Sequence, residues 1–120
     1  MEVLESDWKL FRKKIIEWQE QHMKNLNREY IELLSGPGEA SDKFWKLDKR
    51  IRRDKRSVGV IVDMRRSQMH FNLVALLEEE IIGLEDLKGF SQELIEQVAF
   101  MSGQYGNLAK VFPEFGKKQE

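Results

Sequence analysis

Two histidines, a run of three glutamates and a cluster of bases around one tryptophan are the residues whose types could carry chemistry in this chain. A carboxylate-bridged metal in a helical protein needs Glu-x-x-His pairs that face inward. Gln19 stands three residues before His22 and Ser67 three before His70, so neither histidine has the carboxylate. The absence of cysteine excludes a disulfide, a thiolate zinc site and a cysteine nucleophile. His22 falls within an apolar helical stripe, where a partly buried, hydrogen-bonded histidine is the expected role. His70 is expected at the periphery. Glu78, Glu79 and Glu80 are adjacent and would point in different directions on a helix, which reads as a solvated helix end rather than paired acids. No serine elbow, glycine-rich phosphate loop or P-loop is present, and Gly36-Pro37-Gly38 reads as a helix stop. The expectation is a protein that is not an enzyme, with no catalytic residue, cofactor or metal.

The bases have a clearer pattern. Residues 42–66 hold ten bases against four acids, a local balance of +6, whereas residues 77–96 hold seven acids against Lys88 alone, or −6. A near-neutral total of −1 therefore covers a dipolar chain, and such segregation speaks to partners. On a helical wheel Trp45, Lys49, Arg52 and Arg56 lie opposite Phe44, Leu47 and Ile51, with Lys43, Lys46, Arg50 and Arg53 as a flank. Trp45, Lys49, Arg52, Arg53 and Arg56 are the candidate surface for an acidic protein or for nucleic acid. The arginines would make forked phosphate contacts and Trp45 would stack on a base. The plainer alternative is a solvated face with internal Asp–Arg pairs and Trp45 tucked under the first helix or a second subunit. A helix-turn-helix across residues 84–101 is disfavoured, because Ser91–Met101 carries Glu93 and Glu96 and no base.

These residues must be positioned by helices. With 120 residues, 34% of them charged, and two prolines, the chain reads as one helical domain. Trp8, Phe11, Ile15, Trp18, His22, Leu26, Tyr30 and Leu33 fall within an arc of roughly 120° and predict a first helix from Ser6 to the Gly36 stop. A second is expected from a Ser41 cap to about Lys55, with a break at Ser57-Val58-Gly59. A third, from about Val60 to Glu80, has two apolar faces, as a central or an oligomer-buried helix would. Ser91 is the expected cap of a last helix, with Phe90 and Ile95 spaced as a hydrophobic staple. Val58 to Val62 is β-branched but has no second run to pair with. The fold class is all-α: an antiparallel bundle of about four main helices over residues 1–102, then a partly irregular tail over 103–120 that Leu108, Val111, Phe112 and Phe115 could dock in part.

No stretch approaches the roughly 20 apolar residues that span a bilayer, and the N-terminus lacks signal-peptide features. The expectation is a soluble, cytoplasmic protein with no membrane partner. Four stretches carry a resemblance: Glu29-Tyr-Ile-Glu-Leu-Leu-Ser35, Ala40-Ser-Asp-Lys-Phe-Trp-Lys-Leu47, Arg50-Ile-Arg-Arg-Asp-Lys55 and Leu84-Glu-Asp-Leu-Lys-Gly-Phe-Ser91. Through them the chain resembles a small group of short helical proteins from Gram-positive gut bacteria that have no established function. Some of that group are labelled transporters, a label at odds with the hydropathy. The functional expectation is a helical interaction or regulatory protein that forms a homodimer or binds an acidic partner. Nucleic-acid binding through the second helix is the alternative.

Overall fold

The computed structural model describes residues 2–117, and the polar end at 118–120 lies outside them. Every regular element among the described residues is helical. Among the described residues the α-helices are α1 (Glu5–Ser35), α2 (Ala40–Asp54), α3 (Met69–Glu78), α4 (Gln92–Met101), α5 (Leu108–Val111) and α6 (Glu114–Lys117), the last two single turns. Short 3-10 turns lie at Arg66–Gln68, Leu84–Leu87 and Tyr105–Asn107.

The apolar stripe of α1 is used in two ways. Its first half buries Phe11 and Ile15, with Trp8, Leu10 and Trp18 packed beside them, in a core completed by α3, α4 and the C-terminal turns. Met69, Leu73, Leu76 and Leu77 of α3 and Leu94, Ile95, Val98 and Ala99 of α4 fill its centre. The side of Met69, Leu73, Leu76 and Leu77 is buried, whereas of the second expected side Val74 is buried and Phe71 and Met64 are exposed. Leu108, Phe112 and Phe115 are buried in the same core, so the described part of the tail docks through residues expected to do so, and much of residues 105–117 forms short helical turns. The second half of α1 leaves this head. There it packs chiefly on α2, which runs back antiparallel: Leu34, Tyr30 and Glu29 bond in turn to Lys43, Asp54 and Arg50. α2 contributes no residue to the core. The result is a head with a projecting two-helix arm, 60 Å along its longest axis.

The third helix starts at Met69 rather than Val60, and the structure supplies the reason. Gly59 passes so close to α1 that a Cβ there would lie 2.4 Å from the His22 ring and 2.7 Å from Ile81 Cδ1. Gln19 fixes this crossing by donating to the Val58 carbonyl at 3.1 Å. Val60 and Ile61 turn back to the Ser57 carbonyl at 2.9 and 3.0 Å, and beyond them the Asp63 carboxylate accepts the Arg65 N–H at 3.1 Å while the Asp63 carbonyl accepts from Asn72 at 2.8 Å. A side chain that bonds the backbone two residues on competes with a helix at that point. α2 and α3 are therefore separate, joined by turns and an irregular segment.

At the head, the buried Asp7 carboxylate accepts both the Ser91 N–H at 2.8 Å and the Ser91 hydroxyl at 2.6 Å. Ser91 in turn accepts the Leu94 N–H, the cap expected from sequence. One carboxylate thus sits at the positive ends of α1 and α4 together, where helix dipoles favour it. His70 is not peripheral but buried, hydrogen-bonded to Gln97. Its place on α3, facing α4, follows from the 69–78 helix and not from the longer one expected.

α3 ends in a Schellman motif, with Ile81 N–H to the Leu76 carbonyl at 2.9 Å and Glu80 N–H to Leu77 at 3.1 Å. Its left-handed position is Glu80, at φ 58°, where glycine is the preferred residue. Glu80→Gly should raise stability by about 0.5–1 kcal/mol in urea unfolding. No gain would mean that the Glu80 backbone is not left-handed in solution. Burial pushes the His70 imidazole below its ordinary value, against the pull of Gln97, Asp7 and Glu93. A depressed folded value means that its contribution is complete above the unfolded value of about 6.5 and is lost as pH falls through the lower folded value. Stability should therefore decline on acidification from about pH 6.5, and His70→Gln should flatten that decline. An unchanged slope in the variant would assign it to other groups.

Candidate interaction surface on the helical arm

The arm is held by a small polar network at its inner seam. Tyr30 donates its hydroxyl to Asp54 at 2.5 Å. Arg50 reaches Glu29 at 3.0 Å and Asp54 at 3.7 Å, with its guanidinium 5.7 Å from the centre of the Tyr30 ring. Arg53 adds a contact to Asp54 at 3.2 Å. Asp54 is the one buried residue of α2. Burial alone would raise its pKa, but the Tyr30 hydroxyl and the Arg53 and Arg50 charges outweigh burial and hold it below the ordinary carboxylate value. Tyr30 moves the other way. Burial, then its bond to Asp54 and the charge of that carboxylate, push it up to about 12. A phenol and a carboxylate bonded in this way favour the state in which only the carboxylate is charged.

Beside this seam runs a groove of about 640 Å³ lined by Leu33 of α1 and by Lys46, Lys49, Arg50, Arg52, Arg53 and Arg56. Four of the five candidate residues, Lys49, Arg52, Arg53 and Arg56, are thus brought to one surface, and Lys46 and Arg50 of the flank join them. Their charges are not equally available. Arg50 and Arg53 are engaged by Asp54 and Glu29, and Arg52 pairs with Asp48 one turn earlier. Among the described residues Lys46, Lys49 and Arg56 have no carboxylate at ion-pair distance, and all three are exposed. A second cleft continues from the first at the base of the arm, where Arg53, Arg56 and Ser57 face His22 and Glu79.

Trp45 lies outside the groove lining. It is 62% exposed and stands edge-on to Phe44, also 62% exposed, with ring centres 5.1 Å apart. It does not pack under α1. On the wheel of α2 it continues the row of Lys49, Arg52 and Arg56 toward the tip. Ile31 at 63% and Leu34 at 47% are the other large apolar side chains exposed on the arm. By their wheel positions Ile31, Leu34 and Phe44 belong to the side of the hairpin away from the cationic groove, beside a cleft lined by Met23, Tyr30 and Ile51.

The rest of the basic segment belongs to the head. Arg65 pairs with Asp63, and Arg66 pairs with Glu5 while its guanidinium lies 5.8 Å from the Trp8 ring. The ion pairs of residues 42–66 thus run within the segment or to α1. The acidic segment meets it chiefly through Ser57, which donates to Glu79 at 2.8 Å. Glu78, Glu79 and Glu80 form a solvated helix end. Ser91, Asp7 and His70 come near one another, but the Ser91 hydroxyl is given to Asp7 and its oxygen to the Leu94 N–H, a helix-capping use of all its atoms.

The sequence did not single out the seam. Asp54 shares the stripe of Leu47 and Ile51, and Tyr30 that of Leu26, so a carboxylate and a phenol on two facing stripes were the available signal. No helix among the described residues is long and apolar enough to cross a membrane. Comparison of the chain with protein-family models, with curated proteins and with solved structures finds no match.

Tyr30→Phe removes a hydrogen bond to a charged group, so it should destabilise the protein by about 1–2 kcal/mol near neutral pH. The raised Tyr30 value makes this contribution complete below about pH 10 and lost as pH rises through about 12. The lowered Asp54 value removes it again as pH falls through the folded pKa. Chemical unfolding across pH should show the wild-type advantage between these limits, and a gap of constant size would contradict the pairing.

Proposed function

We propose that the protein is a non-enzymatic interaction protein that self-associates through its arm. The observation that carries this reading is the exposure of Ile31, Leu34 and Phe44 on the α1–α2 hairpin, whose wheel positions put them on one side of it. Two antiparallel helices bury one seam between them and are half of a four-helix bundle. A second copy of the hairpin supplies the missing half in a two-fold arrangement, with like faces meeting. In this reading the antiparallel bundle of four main helices forms between two subunits.

The arm's charge gives the reading a distinctive sign. Residues 26–56 carry nine bases and six acids, so two arms repel weakly as they meet. Added salt screens that repulsion and strengthens apolar contact, so the dimer tightens with salt. Pairing of the basic segment of one copy with the acidic segment of another would weaken instead.

Size-exclusion chromatography with light scattering should give twice the 14.2 kDa chain mass at tens of micromolar, with a larger dimer fraction at high salt. Ile31→Glu combined with Phe44→Glu should yield a monomer with unchanged helical circular dichroism. A wild-type monomer at all salt concentrations would refute the proposal.

A further inference from the structure

The groove on the other side of the arm has a different chemistry from the apolar face. Its lining is one leucine and six cations, and three of those cations, Lys46, Lys49 and Arg56, have no acidic partner among the described residues. The paired ones are held in place: Arg50 and Arg53 by Asp54 and Glu29, and Arg52 by Asp48. Fixed arginines flanked by unneutralised bases in a concave surface are suited to an extended chain of phosphates rather than to one small anion.

The second observation is Trp45. A tryptophan 62% exposed beside a cationic row is unusual for a surface that only faces water, because it forgoes most of the burial that favours such a ring. From Trp45 to Asp54, where α2 ends, nine residue steps span about 14 Å of helix, and Arg56 stands in the turn just beyond. At about 3.4 Å per nucleotide the helical part is the length of roughly four stacked nucleotides. A cationic groove that tracks a backbone, with an aromatic ring on which a base can stack, is the general design of single-strand binding. A duplex is less well matched, since its bases are already stacked and Trp45 would gain nothing from it.

We propose that the groove of α2 binds single-stranded nucleic acid, with phosphates on Lys46, Lys49 and Arg56 and a base stacked on Trp45. The groove lies on the other side of the arm from Ile31 and Leu34, so its cationic contacts stand independently of self-association, whereas Trp45 adjoins the apolar face through Phe44, 5.1 Å away between ring centres. Sequence readout is not part of the proposal: the contacts are to backbone and ring faces.

The test is fluorescence anisotropy with labelled oligothymidylate and oligouridylate strands. Three phosphate contacts give a slope near −2 of log affinity on log salt, or about a 15-fold loss between about 50 and 200 mM salt. Lys46→Ala/Lys49→Ala/Arg56→Ala should abolish binding, and all three residues are exposed, so the fold is expected to persist by circular dichroism. Trp45→Ala should weaken binding about tenfold and leave the salt slope unchanged. Lys9→Ala/Lys13→Ala, on the head, should bind as wild type does. No binding at the lower salt would overturn the proposal, and so would equal weakening by the head variant. Polyglutamate bound as tightly as the strands, with no effect of Trp45→Ala, would also overturn it and assign the groove to acidic proteins.

Discussion

Nine of the fifteen residues of α2 are charged, and this one constraint shapes the molecule. A helix with so narrow an apolar stripe can cover one neighbour along one seam, but it cannot be surrounded, since isolated charges are costly to bury. α2 therefore stays outside the core, and α1, at 31 residues or about 46 Å, is left to serve both parts of the fold. Its first half is a core helix and its second half is one side of an arm. The elongated shape follows, with a Cα radius of gyration of 17.5 Å against about 14 Å for a compact chain of this length.

Two buried aspartates mark the two parts. Asp7 joins the first turn of α1 to the cap of α4 and closes the head. Asp54 joins Tyr30, Arg50 and Arg53 and closes the arm. Each carboxylate is surrounded by donors, the condition under which a buried charge is tolerated. Between them the chain crosses α1 at Gly59, where the approach to His22 leaves no room for a side chain. This crossing sends the chain from arm to head, and the positions of the groove and of the apolar face both depend on it.

Much of this was legible in the sequence, for physical reasons that differ by element. α1 was clear because its stripe is long and its stop is glycine-rich. The α4 cap was clear because Ser91 stands at the junction of a turn and an apolar run. The helical stretch expected over 60–68 failed because Val60, Ile61 and Val62 have an apolar spacing that fits a helix, while Gly59, Asp63 and Asn72 make the contacts that keep the segment out of a helix. The approach of Gly59 to His22 and the bond from Asn72 are tertiary and leave no local trace; the Asp63–Arg65 bond is local. Lys49, Arg52, Arg53 and Arg56 were legible as a face from the wheel alone. That they line a groove with Leu33 depended on the seam, and the seam on Tyr30 and Asp54 meeting across 24 residues.

Small-angle X-ray scattering on the Ile31→Glu/Phe44→Glu monomer as it elutes from a sizing column tests this division into head and arm most directly. A radius of gyration near 17.5 Å, with the elongated profile of a 60 × 30 × 19 Å particle, is the result the structure predicts. A value near 14 Å, as expected of a compact chain of this length, would mean that α2 folds back onto the head and that neither arm nor groove exists as described.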